Sequence, residues 1–324
     1  MLSKQYSRAI RIVGFKGTKL GVGAAMSDKD GKKFIDFVVE NLNKVKKLAT
    51  GRLIIDSVDA TAKTVTILCN PDPPTMLFTQ TLVNPDNAQE MWNASIVHFR
   101  PRQEHYPMLH RDKNFLEDKK QQLIDLNLPT TQQESAPELV RVLRRAKTKF
   151  PDPVRFLAQL VGKSPQDLAR MALGRAPIDD DTYIKICIFF YDFLTPGPGA
   201  DCQVRMQMKD KFAGPRDEDK RYNPKKHWDD VPPYIILGHE LIHSYHMMSG
   251  RRIVNMGGEE EAMTVGLGPF VGWKLTENQL RANAGLPART SYTDASHVSS
   301  QLAWTMKQNT ERGGSLALTT TAFR

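Results

Sequence analysis

The segment from Tyr234 to His243 contains the pattern H-E-x-x-H, in which His239 and His243 stand four residues apart. On a helix, this spacing puts both imidazoles on one face, one turn from each other, so that they can bind a single zinc ion. Glu240 follows the first histidine, where it can act as the general base for a water that zinc activates. The pattern therefore predicts a zinc hydrolase with Glu240 as its catalytic residue.

The residues around this pattern favour a buried metal helix over a surface helix that carries two histidines by chance. The preceding and intervening positions are apolar: Ile235, Ile236, Leu237, Leu241 and Ile242. A buried helix gives a metal site the rigidity that it needs. We expect this helix to begin after Pro232 and Pro233 and to end at Gly250.

A catalytic zinc ion normally has a third protein ligand, and the acidic run Glu259-Glu260-Glu261 is the nearest acidic candidate after the motif. His246 lies three residues past His243 in the same predicted helix, so we expect it to be a hydrogen-bonded histidine rather than a ligand. The acidic run is also typical of a solvated helix start. A helix turns about 100° per residue, so one glutamate faces a given ion, and the pattern leaves Glu260 and Glu261 both open.

Three motifs in order carry a family resemblance: His239–His243, then Glu260-Glu-Ala-Met-Thr-Val-Gly266, then a segment from Thr276 to Tyr292 that opens Thr-Glu-Asn-Gln-Leu-Arg. Together they resemble the NleD-like effector metallopeptidases, bacterial zinc proteases that are often delivered into host cells by type III secretion. The helix and turn over residues 34–53 are similar to the family's opening helix.

The resemblance implies an α+β, zincin-like metallopeptidase domain that carries a mostly α-helical insertion. It also implies one zinc ion per chain, bound by His239, His243 and Glu260, with Glu240 as the base. Glu261 would then orient a ligand histidine through its free ring nitrogen. The expected partner is a protein substrate, in particular a host signalling protein.

Arg289 and Tyr292 lie in the last of these motifs. Either side chain can donate to the oxyanion of a tetrahedral intermediate if it lies near the metal. The alternative is a structural role, in which Arg289 pairs with an acid such as Glu277. We name both residues as catalytic candidates.

Composition shifts divide the chain into four predicted parts. Residues 1–110 form the N-terminal part of the peptidase domain, residues 111–200 the helical insertion, residues 201–308 the metal-binding part, and residues 309–324 a mobile tail. In the first part we predict a helix over Gly31–Thr50 that stops at Gly51. Predicted strands are Ile10–Phe15, Thr64–Cys69 and Ala94–Phe99, the last as the edge that pairs with substrate.

Predicted helices of residues 111–195 are Asn114–Asp125, Ala136–Lys147, Pro153–Val161, Pro165–Leu173 and Asp179–Leu194. Residues 155–175 also match a helix-turn-helix pattern, in which Arg170 and Arg175 could contact the phosphates of DNA. The pattern is not specific, because any helical hairpin produces it. This pattern leaves two alternatives open. One is a metallopeptidase-type transcriptional regulator, and the other is a protein-docking module whose zinc site is not proteolytic.

The composition is that of an ordinary globular protein of 324 residues, with 40% hydrophobic and 25% charged residues. The net charge of +9 is spread along the chain, which favours a solvated basic surface over a nucleic-acid site. No apolar run is long enough to span a membrane, and the N-terminus lacks a Sec-type signal. The three cysteines stand apart, so we expect a reducing compartment. The family resemblance implies delivery by a specialised secretion system into the host cytoplasm, and the alternative is a cytoplasmic protein.

Overall fold

A computed structural model of the protein describes residues 2–19, 22–69, 80–82, 93–95, 132–173, 175–176, 178–206, 231–253 and 259–290. In this part of the chain, helices surround a small mixed sheet, which agrees with the predicted α+β class. The strands are β1 (Ser3–Gln5), β2 (Ile10–Lys19), β3 (Val22–Ala25), β4 (Val65–Cys69), β5 (Gln80–Leu82) and β6 (Cys202–Met206).

The centre of the sheet is parallel and its outer strands are antiparallel. Strands β2, β4 and β6 run parallel, β1 and β3 pair antiparallel with β2, and β5 pairs antiparallel with β6. All five residues of β4 are buried, as expected for a central strand that is covered on both faces. The predicted strand Ile10–Phe15 is confirmed as part of β2, and the predicted strand Thr64–Cys69 is confirmed as β4, which begins one residue later at Val65.

Nine described α-helices accompany the sheet: α1 (Asp28–Lys47), α2 (Ala49–Ala60), α3 (Gln132–Ala146), α4 (Pro153–Val161), α5 (Pro165–Ala172), α6 (Asp180–Phe189), α7 (Pro233–Met248), α8 (Glu259–Val265) and α9 (Glu277–Asn283). The predictions for α3 to α6 are confirmed to within a few residues, and a 3-10 turn at Tyr191–Phe193 extends α6. The predicted helix Asn114–Asp125 lies outside the described residues. None of the described helices is both long and apolar enough to cross a membrane.

The prediction that Gly51 stops the first helix is wrong. The helix ends at Lys47, and Gly51 lies inside α2, which starts at Ala49. A side chain at Gly51 would collide with the carbonyl oxygen of Val45, so glycine is required where the chain folds back between the two helices. Here glycine marks a close approach of the backbone rather than a helix end.

Two hydrophobic clusters form the core. The first lies between the sheet and helices α1, α2 and α7, with Phe34, Ile67 and Leu241 among its fully buried members. The second joins helices α3 to α6 with α8 and the following turn, so that Ile186 and Met263 belong to one cluster. The predicted helical insertion therefore shares its core with the helix that carries the acidic run.

Helices α4 and α5 form an αα-hairpin. Gly162 caps α4 in the left-handed conformation at φ 67°, and Ser164 accepts a hydrogen bond from Asp167 N at the start of α5. This is the helix-turn-helix pattern that the sequence suggested, but Leu157 and Leu168 are buried in the second cluster, as in any packed hairpin. DNA binding by this hairpin stays a prediction. Of the predicted strand Ala94–Phe99, only Ala94 and Ser95 are described, and Ser95 forms an isolated bridge with Arg252.

Candidate metal centre

Helix α7 carries the H-E-x-x-H residues, and it is buried along most of its length. Its first residue is Pro233, whose fixed φ suits the first turn of a helix. His239, Glu240 and His243 are all less than a tenth exposed. The predicted buried helix between Pro232-Pro233 and Gly250 is confirmed, and it ends at Met248.

The two imidazoles and one carboxylate meet at a common point. His239 Nε2 and His243 Nε2 lie 3.1 Å apart, and Glu261 Oε2 lies 3.3 Å from each of them. Donor atoms on a tetrahedral zinc ion, with bonds of about 2.0–2.1 Å, lie about 3.3 Å from one another. The three atoms therefore have the spacing of a metal-binding triad, and His239, His243 and Glu261 form a group able to hold an ion.

Glu260, the predicted ligand, contacts the Nδ1 edge of His243 and also contacts His246. Its Oε1 lies 2.8 Å from His246 Nδ1 and 3.3 Å from His243 Nδ1, and its Oε2 accepts a hydrogen bond from Ile253 N at 3.1 Å. The rotation of α8 directs Glu261 to both Nε2 atoms, whereas Glu260 forms a second group with His243 and His246 that could also hold an ion. The expectation that His246 makes a hydrogen bond is confirmed.

A second carboxylate lies behind His239. Glu277 Oε2 is 2.8 Å from His239 Nδ1, and Glu277 is itself 2% exposed. Arg281 Nε donates to Glu277 Oε1 at 2.5 Å, and Arg289 Nη1 donates to Glu277 Oε2 at 3.2 Å. The ion pair between Arg289 and Glu277, proposed as the alternative to an oxyanion role, is therefore present. Tyr292 lies outside the described residues.

The electrostatics of the site favour positive charge. Burial lowers the pKa of His239, but its hydrogen bonds to Glu261 and Glu277 outweigh burial and raise that pKa to about 9. Burial raises the pKa of Glu260, but His246 and His243 outweigh it and lower that pKa to about 2. The carboxylates are held ionised around two imidazoles, which suits the binding of a cation.

Sequence reasoning missed the contact of Glu277 with His239 and the buried position of Arg281. One signal was present, because residues 277 and 281 are oppositely charged and four apart, directly after Thr276, whose side chain caps α9. That pattern is also typical of an exposed helix. Only the packing of α9 on α7 places the pair inside the protein.

Comparison with known proteins gives one match. Residues 179–292 match the model of the Peptidase M91 family, which is described as an effector protein. The matched range contains the triad, Glu277 and the Thr276–Arg281 motif, and it confirms the resemblance to the NleD-like effector metallopeptidases. It begins at the start of α6, inside the range that we predicted as an insertion. No curated protein and no solved structure matches the chain.

Proposed function

We propose that the protein is a zinc-dependent endopeptidase with a zincin-like domain. The proposal starts from the match of residues 179–292 to the M91 effector peptidases. The observation that carries the proposal is the triangle of His239 Nε2, His243 Nε2 and Glu261 Oε2, with sides of 3.1 to 3.3 Å. Two imidazoles and one carboxylate are a ligand set of catalytic zinc, which leaves a fourth position open.

In this proposal the zinc ligands are His239, His243 and Glu261. Glu260, the ligand first expected, instead supports His243 and His246 from behind. Bound zinc would lower the pKa of a water and polarise the carbonyl of the scissile peptide.

The protein's own part of the reaction falls to Glu240. Its carboxylate takes a proton from the attacking water and then gives that proton to the leaving amine. Glu240 is buried on α7 directly after His239, as the proposed base requires. Arg289 and Tyr292 remain candidate donors to the oxyanion.

The substrate in this proposal is a protein inside a host cell, in particular a host signalling protein. Support comes from the effector description of the matched family. We infer that a specialised secretion system delivers the protein to the host cytoplasm. The three cysteines are buried thiols, which is compatible with that reducing compartment.

The test uses purified protein with Glu240→Ala and Glu240→Gln variants. We expect about one zinc ion per chain by elemental analysis in all three proteins, since Glu240 is not a ligand. Peptide cleavage in a host-cell lysate, mapped by mass spectrometry, should fall by two orders of magnitude or more in both variants, as expected when the catalytic base is lost. Full cleavage by Glu240→Ala would refute the mechanism. Zinc binding without any cleavage by the wild type would favour the non-proteolytic docking module.

A further inference from the structure

We propose that Glu277 is a positioning residue of the metal centre, which holds His239 so that Nε2, rather than Nδ1, is free to bind the ion. Arg281 in turn holds Glu277. The proposal rests on the proposed zinc function, since it concerns how a zinc ligand is oriented. It assigns a role to the Thr276–Arg281 motif, which the catalytic steps do not use.

The first observation is the contact between Glu277 and His239. Oε2 lies 2.8 Å from Nδ1, a normal hydrogen-bond distance, and both side chains are buried. A neutral imidazole has one N–H group and one free lone pair. A carboxylate at Nδ1 accepts the N–H there and leaves the lone pair on Nε2, the atom that faces His243 and Glu261.

The second observation is that both oxygens of Glu277 have partners. Arg281, which is 1% exposed, donates from Nε to Oε1, while Arg289 Nη1 donates to the same oxygen that contacts His239. An unpaired carboxylate is costly to bury, and two guanidinium groups offset that cost.

The third observation is that the helix carrying Glu277 is fixed at both ends. Thr276 Oγ1 accepts a hydrogen bond from Gln279 N at 3.3 Å at its start. At its last residue, Asn283 Oδ1 accepts a hydrogen bond from Thr50 N at 2.7 Å, which ties α9 to α2. Leu280, fully buried, packs against Gly238 beside His239. Glu277 is therefore presented to the imidazole by a rigid element.

The experiment compares the full-length wild type with Glu277→Gln, which keeps the size of the side chain and removes its charge. Zinc affinity is measured by competition with a chelator, and Co²⁺ is bound in place of zinc so that its visible absorption reports the ligand geometry. We expect Glu277→Gln to bind zinc about 10- to 100-fold more weakly and to shift the cobalt spectrum, as is typical when the partner of a ligand histidine is lost.

Thr276→Ala is the matched control, because it weakens the cap of the same helix without touching His239. Thr276→Ala should lower the stability of the protein, and its cobalt spectrum should be the same as that of the wild type. If it shifts the spectrum as Glu277→Gln does, the effect is a loosening of α9 and the proposal is overturned.

The remaining outcomes separate the two proposals. A wild type that binds no zinc overturns the proposed function and this inference with it. A wild type that binds zinc, together with a Glu277→Gln variant of equal affinity and spectrum, overturns this inference alone. If Glu277→Gln does not fold, Glu277→Asp decides the matter. It keeps the charge but withdraws the carboxylate from Nδ1, so unchanged zinc affinity would contradict the proposal.

Discussion

A carboxylate lies behind each of the two ring nitrogens that face away from the triad. Glu277 contacts Nδ1 of His239, and Glu260 contacts Nδ1 of His243. Thr264 Oγ1 adds a contact at 3.2 Å to His243 Nδ1. Glu261 is the carboxylate that reaches both Nε2 atoms. Adjacent glutamates on α8 thus serve opposite edges of the same imidazole.

This arrangement predicts that Glu261→Gln and Glu260→Gln differ in severity. Glu260→Gln removes the partner of a ligand histidine and should weaken zinc binding roughly 10- to 100-fold. Glu261→Gln removes a direct ligand and should weaken zinc binding by more than that. Glu259→Gln, one residue earlier, is the matched control and should bind zinc normally. Chelator competition on all three variants measures the order, and a larger loss in Glu260→Gln than in Glu261→Gln would restore Glu260 as the ligand.

The sequence predicted the residues of α7 well because a fixed spacing of four on a helix determines which side chains share a face. It could not choose between Glu260 and Glu261, since consecutive residues differ by about 100° and the rotation of α8 depends on its packing. The family resemblance favoured Glu260, whereas in the structure Glu261 is the glutamate that contacts both His239 and His243. Glu277 was out of reach for the same reason, because its contact with His239 depends on how two separate helices dock.

Helices α7 and α9 approach closely where Gly238 faces Leu280. A side chain at Gly238 would collide with Leu280 Cδ2, and Leu280 is fully buried, so it cannot move aside without displacing its neighbours. The missing side chain at Gly238 therefore sets the distance between the helix of His239 and the helix of Glu277.

We expect Gly238→Ala to destabilise the protein by about 1–3 kcal/mol through overpacking, although alanine is the better helix former. The measurement is the free energy of unfolding in urea. Gly31→Ala in α1 is the control: its nearest neighbour would be Gly14 Cα at 3.5 Å, an ordinary contact, so we expect no loss of stability. A stabilising Gly238→Ala would show that the helices separate at little cost.

The start of α6 provides a pH-sensitive contact away from the metal centre. Asp179 Oδ1 accepts a hydrogen bond from Thr182 N, and Asp179 Oδ2 lies 2.8 Å from Lys163 Nζ. Burial raises the pKa of Asp179, but Lys163 and Thr182 outweigh it and lower that pKa from 3.8 to about 2. A lowered pKa in the folded state means that the contact stabilises the protein above pH 3.8 and is lost as the pH falls toward 2.

Asp179→Asn should therefore be less stable than the wild type at neutral pH, and the difference should shrink between pH 4 and pH 2. Asparagine is a good N-cap, so the comparison isolates the charge. Urea midpoints at a series of pH values measure the difference. The effect is small because both side chains are partly exposed, and a difference that does not depend on pH would contradict the assignment.

The hydrophobic pattern of the sequence predicted the first helix but not the break between α1 and α2. The apolar residues Phe34, Val38, Leu42 and Val45 recur at helical spacing, and all are buried. This periodicity predicted a helix over Gly31–Thr50, and α1 spans Asp28–Lys47. The break at Leu48 depends on how α1 and α2 contact each other, which the sequence pattern does not show. Gly51 permits that contact, but in the sequence it looks like a glycine that ends a helix.

Across the whole molecule, the helical region and α8 form one cluster, so they should lose stability together. Ile186 on α6 is fully buried in the cluster that contains Met263 of α8. Deleting helices α3 to α6 would expose that side of α8, and thus would not test substrate docking alone. Point substitutions are the better probe of this region. The predicted boundary at residue 200 remains a prediction.

We expect Ile186→Ala to lower the free energy of unfolding by about 2–5 kcal/mol, the usual cost of truncating a buried isoleucine. Leu173→Ala is the control, since Leu173 is 58% exposed and should tolerate truncation. Unfolding of the purified proteins in urea gives both values. A small effect at Ile186 would indicate that the two regions fold separately.

The parallel pairing of β4 with β6 has a consequence for folding kinetics. Thr64 N bonds to Asp201 Oδ1 beside the paired ends of these strands, across 137 residues of chain. Strands β2 and β4 with helices α1 and α2 lie within the first 69 residues and can associate early. We expect strand β6 and helix α7 to join them only after a long stretch of chain has closed, since non-local pairing of this kind slows folding. The group of His239, His243 and Glu261, which needs α7 and α8 in place, should therefore form late in folding.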